Sequence, residues 1–175
     1  MTNLDPPRRS CGSCAACCKA FPIEWVHVDR GGKPAHTWCE HASPSRKNLT
    51  GACTLHGTDK YPAGCLAYFC GWMAGFGPES DRPDKLRAII SVKEDLTDPT
   101  LAATEGRWVE FRLLDGNNLT PRILTLVCAA VNDGYTVEVI GKSVQRRVSP
   151  KPGCRLDIIG TPPRVSVEFR PLGVH

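Results

Sequence analysis

Cys11-Gly-Ser-Cys14-Ala-Ala-Cys17-Cys18 decides how the first half of this chain is built. Two residues between cysteines let both thiolates of a C-x-x-C reach one metal ion. A third cysteine at the same interval matches the opening of the bacterial ferredoxin run, but the next cysteine is adjacent and no Cys-Pro closes the run. If the segment is helical, side chains step by about 100° per residue, and Cys11, Cys14 and Cys18 fall within about 60° of one another. Cys17 then sits off to the side. Neighbouring side chains diverge, so Cys17 and Cys18 are not expected to share one tetrahedral ion. Two metal sites, or one multinuclear cluster beside a second site, fit better.

Working outward, Cys39 lies in Trp38-Cys39-Glu40-His41 and Cys53 in Gly51-Ala52-Cys53-Thr54-Leu55-His56. Tyr61-Pro62-Ala63-Gly64-Cys65-Leu66-Ala67-Tyr68-Phe69-Cys70 completes the set. Eight of the ten cysteines therefore fall between Cys11 and Cys70, and Cys128 and Cys154 stand alone. Thiols this dense are disulfides or metal ligands, and the compartment decides which. The opening Met-Thr-Asn-Leu-Asp-Pro-Pro-Arg-Arg-Ser has no apolar segment of signal-peptide length, and Arg8-Arg9 lacks the apolar run of a twin-arginine signal. No stretch reaches membrane-spanning length; the longest apolar one runs from Ile123 to Val131 and is broken by Thr125. The expected location is cytoplasmic, with no membrane partner, and clustered thiols in a reducing cytosol favour metal.

Eight thiolates match two closed four-cysteine zinc sites, and equally a four-iron cluster plus a zinc. Both ions prefer sulfur, so softness does not separate them. The expected cofactor is zinc, two ions, with an iron–sulfur cluster as the alternative. The candidate ligands are Cys11, Cys14, Cys17, Cys18, Cys39, Cys53, Cys65 and Cys70. His56, three residues after Cys53, and His41, two after Cys39, are candidates for a ligand or a supporting hydrogen bond. As bland loop histidines they need neither role. His27, His36 and His175 show no partner spacing.

The formal charge of +4 counts every cysteine as neutral. Two zinc ions with four thiolates each add about −2 per site, which roughly cancels it. Charge therefore says little about a nucleic-acid partner.

The expected fold class is α+β: a metal-stapled, Cys-rich N-terminal lobe packed on a small antiparallel sheet with one main helix. Residues 1–10 read as a flexible arm, 11–85 as the lobe, and 86–175 as a small α+β body forming one unit with it. Residues 11–80 hold nine Gly and five Pro. Such a segment buries little carbon, while ordering its backbone costs about 1–2 kcal/mol per residue. A structural zinc returns roughly 10–16 kcal/mol, so the ion is expected to be a condition of the lobe's folding. In the second half, Arg87 to Lys93 and Arg107 to Leu114 read as strands, with Asp115-Gly-Asn-Asn as a turn. Thr120 suits a helix N-cap and Pro121 the first helical position. Ile123, Leu124, Val127 and Val131 give helical spacing, and Gly134 suits the C-terminal cap. Tyr135–Ile140, Val144–Val148, Arg155–Ile159 and Arg164–Phe169 read as short strands.

The eight-cysteine pattern resembles the zinc- or iron-chelating CxxCxxCC proteins: Cys11-x-x-Cys14-x-x-Cys17-Cys18, a middle cysteine, Gly-x-Cys53, and Pro62-x-x-Cys65 leading to Phe69-Cys70. The resemblance covers about residues 11–85. It implies that all eight cysteines are ligands. Flagellin lysine N-methylase is a relative with a similar motif, but no motif for S-adenosylmethionine is present here. The basic residues usual before Pro62 and after Cys65 are Tyr61 and Leu66 in this chain.

Other features have quieter explanations. Trp25, Trp38, Trp72, Tyr68 and Phe69 could line a pocket, but such residues more often cap a small lobe. Cys128 falls on the apolar face of the expected helix, where a buried free thiol is the default. From Lys142 to Arg170 there are seven Lys or Arg against two Asp or Glu, so Arg146 and Arg147 are the candidates for contacting nucleic acid. A solvated sheet face explains them as well, and nucleic acid is not the expected partner. No nucleophile–base pair, phosphate loop or H-E-x-x-H appears. The expected function is therefore non-enzymatic: thiolate-bound zinc or iron in a mainly structural role, for binding a protein partner or handling metal. An iron–sulfur protein in electron transfer or protein modification is the first alternative, and a zinc-built nucleic-acid module the second.

Overall fold

The computed structural model describes residues 9–10, 12–22, 33–45, 49–94, 107–161 and 164–172. Cys11, Trp25, His27 and His175 lie outside these. The chain divides into two units, Met1–Ile90 and Ser91–His175, so the boundary falls a few residues beyond the 85/86 division read from sequence.

The first unit is made of short pieces. Helix α1 spans Ala16–Ala20, β1 Ala42–Ser45, β2 Thr50–Cys53, α2 Ala63–Ala67 and α3 Pro83–Leu86, with a 3-10 turn at Glu79–Asp81. Strands β1 and β2 pair antiparallel, Ala42 opposite Cys53. The segment before α1 joins them: Cys14 bridges Thr50, Ala15 N–H donates to Leu49 O at 2.8 Å, and Gly51 N–H donates to Ser13 O at 2.8 Å. This pairing holds the start of the cysteine run extended. Only from Ala16 does the chain turn helical, so Cys14 is not on one helix with Cys17 and Cys18. The 100° wheel drawn through the whole run is corrected accordingly.

Of the expected flexible arm, residues 1–8 lie outside the described residues; Arg9 is held in place. Its guanidinium donates to Gly77 O at 2.8 Å and to Trp72 O and Gly75 O at 3.4 Å, and its own N–H donates to Met73 O at 3.1 Å. It also lies 5.1 Å from the Trp72 ring centroid. A planar cation with several donors suits a turn whose carbonyls all point one way.

The second unit has the apolar core. Strand β3 (Ala88–Glu94) crosses the unit boundary, and β4 (Arg107–Leu113), α4 (Pro121–Asn132), β5 (Thr136–Ile140) and β6 (Gln145–Val148) follow. One sheet has the order β3-β4-β5-β6. Helix α4 begins as the sequence indicates: Thr120 Oγ1 accepts from Ile123 N–H at 3.3 Å and Pro121 opens the first turn. It ends at Gly134, whose φ of +92° lets Gly134 and Tyr135 N–H reach back to Val131 O and Ala130 O, both at 3.0 Å. Ile123, Leu124, Val127, Cys128 and Val131 are its buried side chains, and Phe111, Leu113, Val137 and Val139 are buried on the sheet.

The expected antiparallel sheet is corrected in two respects. Strands β4 and β5 are parallel, Val109 opposite Val137, because α4 connects them and carries the chain back to the start of β4. Strands β5 and β6 pair antiparallel, Val139 opposite Arg146. The last two strands, β7 (Cys154–Thr161) and β8 (Arg164–Pro171), do not join that sheet but form their own antiparallel ribbon. Asn132 ties the ribbon to α4: its amide donates to Leu156 O at 3.0 Å and accepts from Leu156 N–H at 2.8 Å. Among the described residues, no helix is long and apolar enough to cross a membrane.

Replacing Thr120 with Ala removes the α4 cap and is expected to cost about 1 kcal/mol. Hydrogen exchange at the Val127 and Cys128 amides reports this directly, and unchanged protection would show that the cap contributes nothing.

Candidate metal centre

The described cysteines are all free thiols, so none of Cys14, Cys17, Cys18, Cys39, Cys53, Cys65, Cys70, Cys128 and Cys154 is in a disulfide. Seven of these belong to the first unit. They sort into two electrostatic neighbourhoods.

The first neighbourhood surrounds Cys17. Burial pushes its thiol well above the ordinary range, and the charges of Cys70, Cys14 and Cys18 raise it further. Cys70 is likewise raised by burial and by Cys14, while the backbone N–H groups of Met73, Trp72 and Cys70 itself point at its sulfur and oppose the shift. The chain folds back at Cys70 because Gly71 sits against strand β3. Gly71 N–H donates to Ile90 O at 2.7 Å, and a side chain at Gly71 would come within 3.2 Å of that same oxygen.

The second neighbourhood surrounds Cys18. Burial pushes this thiol up to about 12, followed by the charges of Cys39, Cys53 and Cys65, and Lys33 alone opposes them. Cys65 is raised by burial, Cys39 and Cys53, and lowered by Lys33. Backbone bonds hold the group: Cys39 N–H donates to Cys18 O, and Ala42 N–H to Cys39 O, both at 3.1 Å. Cys53 closes β2, and Cys65 stands in the middle of α2.

Beside their effect on each other, Cys17 and Cys18 thus feel different thiols: Cys70 and Cys14 for one, Cys39, Cys53 and Cys65 for the other. Proximity falls short of a finished site, however. Among the described residues, no three Cys, His, Asp or Glu side chains stand in an arrangement that holds a metal ion as it is.

The two histidines are engaged elsewhere. His56 is exposed, with its ring edge-on to Tyr61 at 5.1 Å. His41 Nε2 lies 3.6 Å from Glu40 Oε1, and its carbonyl accepts from Thr54 N–H at 2.8 Å. Of the aromatic residues, Trp72 is buried, whereas Phe69 is exposed and does not cap the lobe. Tyr68 packs on Phe21 with centroids 4.8 Å apart.

Three charged residues beside the thiols were missed from the sequence. Lys33 carried no motif. Arg82 and Asp84 bracket Pro83, and the guanidinium grips the carboxylate at 2.6 and 2.8 Å. The Asp84 side chain is only 4% exposed, so this pair is almost out of water. Cys14 hydrogen-bonds the same carboxylate. Burial pushes the Asp84 carboxyl up, but the Arg82 pair outweighs it and holds it below the usual range.

In the second unit, Arg146 and Arg147 are exposed on β6. Arg147 lies 5.6 Å from the Trp108 centroid and opposite Glu138 in the strand register. These contacts are what a solvated sheet face shows. Cys128 is buried on α4.

No known family model matches this chain, and no curated protein or solved structure is similar to it at a significant level.

Replacing Arg82 with Met leaves the Asp84 carboxylate buried and unpaired. The expected loss is about 3 kcal/mol, and replacing Asp84 with Leu as well should recover most of it. A depressed carboxyl gives stability present above its ordinary pKa and lost as pH falls through the lowered one. The Arg82→Met loss should therefore be full above pH 3.8 and shrink below it. Denaturant unfolding of the single and double variants measures both effects, and equal destabilisation of the two would dismiss the pair as the cause.

Proposed function

We propose that this chain is a thiolate metal-binding protein of the CxxCxxCC kind, holding two zinc ions in its first unit. What supports this reading most is the gathering of seven free thiols in the first unit, with Cys17 acted on chiefly by Cys70 and Cys14 and Cys18 by Cys39, Cys53 and Cys65. One ion would be held by Cys14, Cys17 and Cys70 with Cys11 as the fourth ligand; the other by Cys18, Cys39, Cys53 and Cys65.

The donor set fits such ions. Zinc takes four thiolates tetrahedrally in closed structural sites. The N–H groups of Trp72 and Met73 aimed at Cys70 stabilise a thiolate there. The raised thiols fit as well. A buried neutral thiol has no charge to draw it toward another, whereas a divalent cation displaces the protons and supplies the attraction that closes four sulfurs into a shell. Once bound, the ion supplies cross-links between segments with little apolar core of their own. The chain's residues would do the rest: the Ser13–Gly51 pairing positions Cys14, α1 would offer Cys17 to one ion and Cys18 to the other, and α2 would present Cys65.

A closed four-thiolate shell leaves zinc no position for substrate, which supports a structural role, in partner binding or metal handling, over catalysis. Residence in a reducing compartment belongs to the same reading. An iron–sulfur centre on either thiol group is the alternative, since iron accepts the same ligands.

Protein purified without chelator should be colourless and contain two zinc ions per chain by elemental analysis. Cys17→Ser and Cys18→Ser should each lose one ion, while Cys128→Ser keeps both. A brown anaerobic preparation with acid-labile sulfide would replace zinc by the iron–sulfur alternative. Protein with neither metal, unable to take up zinc when reduced, would overturn the reading.

A further inference from the structure

Lys33 is 6% exposed, an unusual position for an ammonium. Its Nζ donates to Thr37 O at 2.8 Å, Pro34 O at 3.0 Å and Lys19 O at 3.3 Å. An ammonium has three N–H donors, and three carbonyls take them all. Its hydrogen bonds are satisfied, but its charge is not: among the described residues no carboxylate pairs with it. A buried charge without a counter-ion is costly and is normally paired. Two of its acceptors place it beside the thiols, Lys19 O being one residue from Cys18 and Thr37 O two residues from Cys39, and the thiols of Cys39, Cys18 and Cys65 are the groups whose charge acts on it. These three belong to the second thiol neighbourhood and not the first.

In the first neighbourhood, among the described residues, no cation opposes the raised thiols of Cys17 and Cys70. Arg82 is beside Cys14, but its charge is spent on Asp84 through two short hydrogen bonds. The two groups of thiols are therefore electrically unequal.

We propose that Lys33 is the built-in counter-cation of the Cys18, Cys39, Cys53 and Cys65 site, making it the tighter and less reactive of two unequal metal sites. This rests on the zinc reading above and extends it. Four thiolates on a divalent ion carry a net charge of about −2, and one ammonium beside them brings the cluster to about −1. The ammonium acts through space, because its donors are already committed to carbonyls. It is a positioning and charge-balancing residue, not a ligand. The thiolates beside it are weaker bases and weaker nucleophiles. The Cys14, Cys17 and Cys70 site, without that compensation, is left as the one that exchanges metal or meets electrophiles first.

The test uses the full chain loaded with zinc, and separately with cobalt(II), in the wild type and in Lys33→Gln, Lys33→Met and Lys33→Arg. Lys33→Gln removes the charge but keeps amide donors for the carbonyls. Lys85→Met, which removes an exposed lysine paired with Glu79, controls for net charge. Wild-type protein should yield its two zinc ions to a chromophoric chelator in two steps of unequal affinity. Lys33→Gln and Lys33→Met should weaken the tighter step by about 10–100-fold and leave the other unchanged. In the cobalt form, the thiolate-to-metal charge-transfer band of one of the two ions should move to longer wavelength, because uncompensated thiolates give up electrons more easily. Lys33→Arg should restore both readouts. A merely structural lysine would weaken binding without that spectral shift, and this outcome overturns the proposal. So does release of both wild-type ions with equal affinity, which needs no variant. If the wild type binds two ions and Lys33→Gln behaves like it, the counter-cation fails and the zinc reading stands. If the wild type binds neither zinc nor cobalt, both fail together.

Discussion

A thiol removed from water keeps its proton unless something positive replaces it, and this constraint governs the first unit. Burial is the leading cause of the raised state of Cys17, Cys18, Cys65 and Cys70 alike. Neighbouring thiols compound it, because each would repel the charge of the next. Left alone, such a group is a set of small, weakly cohesive side chains in a segment with little else to bury. Around a cation the same set becomes a cross-link between residues as distant in sequence as Cys14 and Cys70. The unit's remaining order comes from short backbone pairings and from two cations that hold carbonyls: Arg9 on the 72–77 turn and Lys33 on Lys19, Pro34 and Thr37.

The second unit obeys a different rule, and its fold was correspondingly easier to read. Period and punctuation mark β3, β4, α4 and β5 to within a residue or two. Thr120, Pro121 and Gly134 act where their chemistry says they should. Pairing was not legible in the same way. A strand's alternation says which face is buried, not which neighbour it has or in which direction. The parallel β4–β5 pair follows from the intervening α4 and could have been inferred from the strand–helix–strand order. The departure of β7 and β8 into a separate ribbon had no local signal, since it is fixed by the Asn132 contact to Leu156 across 24 positions.

The candidate site was legible in its sulfur and not in its charge. Cysteine spacing identifies the thiols because ligation demands that residue type at short intervals. Cys17 and Cys18 do lie side by side on the helix of Ala16–Ala20, and the thiols that act on them differ apart from each other. What failed was extending that helix back through Cys14, because strand pairing with Thr50 competes for the same backbone. Lys33 could not be found by pattern. A lysine before a proline reads as loop, and only the folded chain shows its ammonium buried on the carbonyls of Lys19, Pro34 and Thr37. Arg82 and Asp84 left a fainter trace, an opposite-charge pair astride a proline at a helix start, which marks a folded turn without saying that it lies beside Cys14.

The juxtaposition of unionised thiols with an unpaired ammonium argues that these features have one explanation. Each alone is unfavourable: the thiols would repel one another once ionised, and among the described residues no carboxylate pairs with the ammonium. Separately they would be two defects in one small unit. A cation at the sulfurs would convert four neutral groups into a net negative centre, and on the reading proposed above that centre would be the counter-charge of Lys33. The arrangement is then self-consistent on one side only, because Arg82 is already neutralised by Asp84. Unequal sites built from like ligands would give one ion a structural place and leave the other open to exchange, and the difference proposed here would lie in a residue that binds no metal.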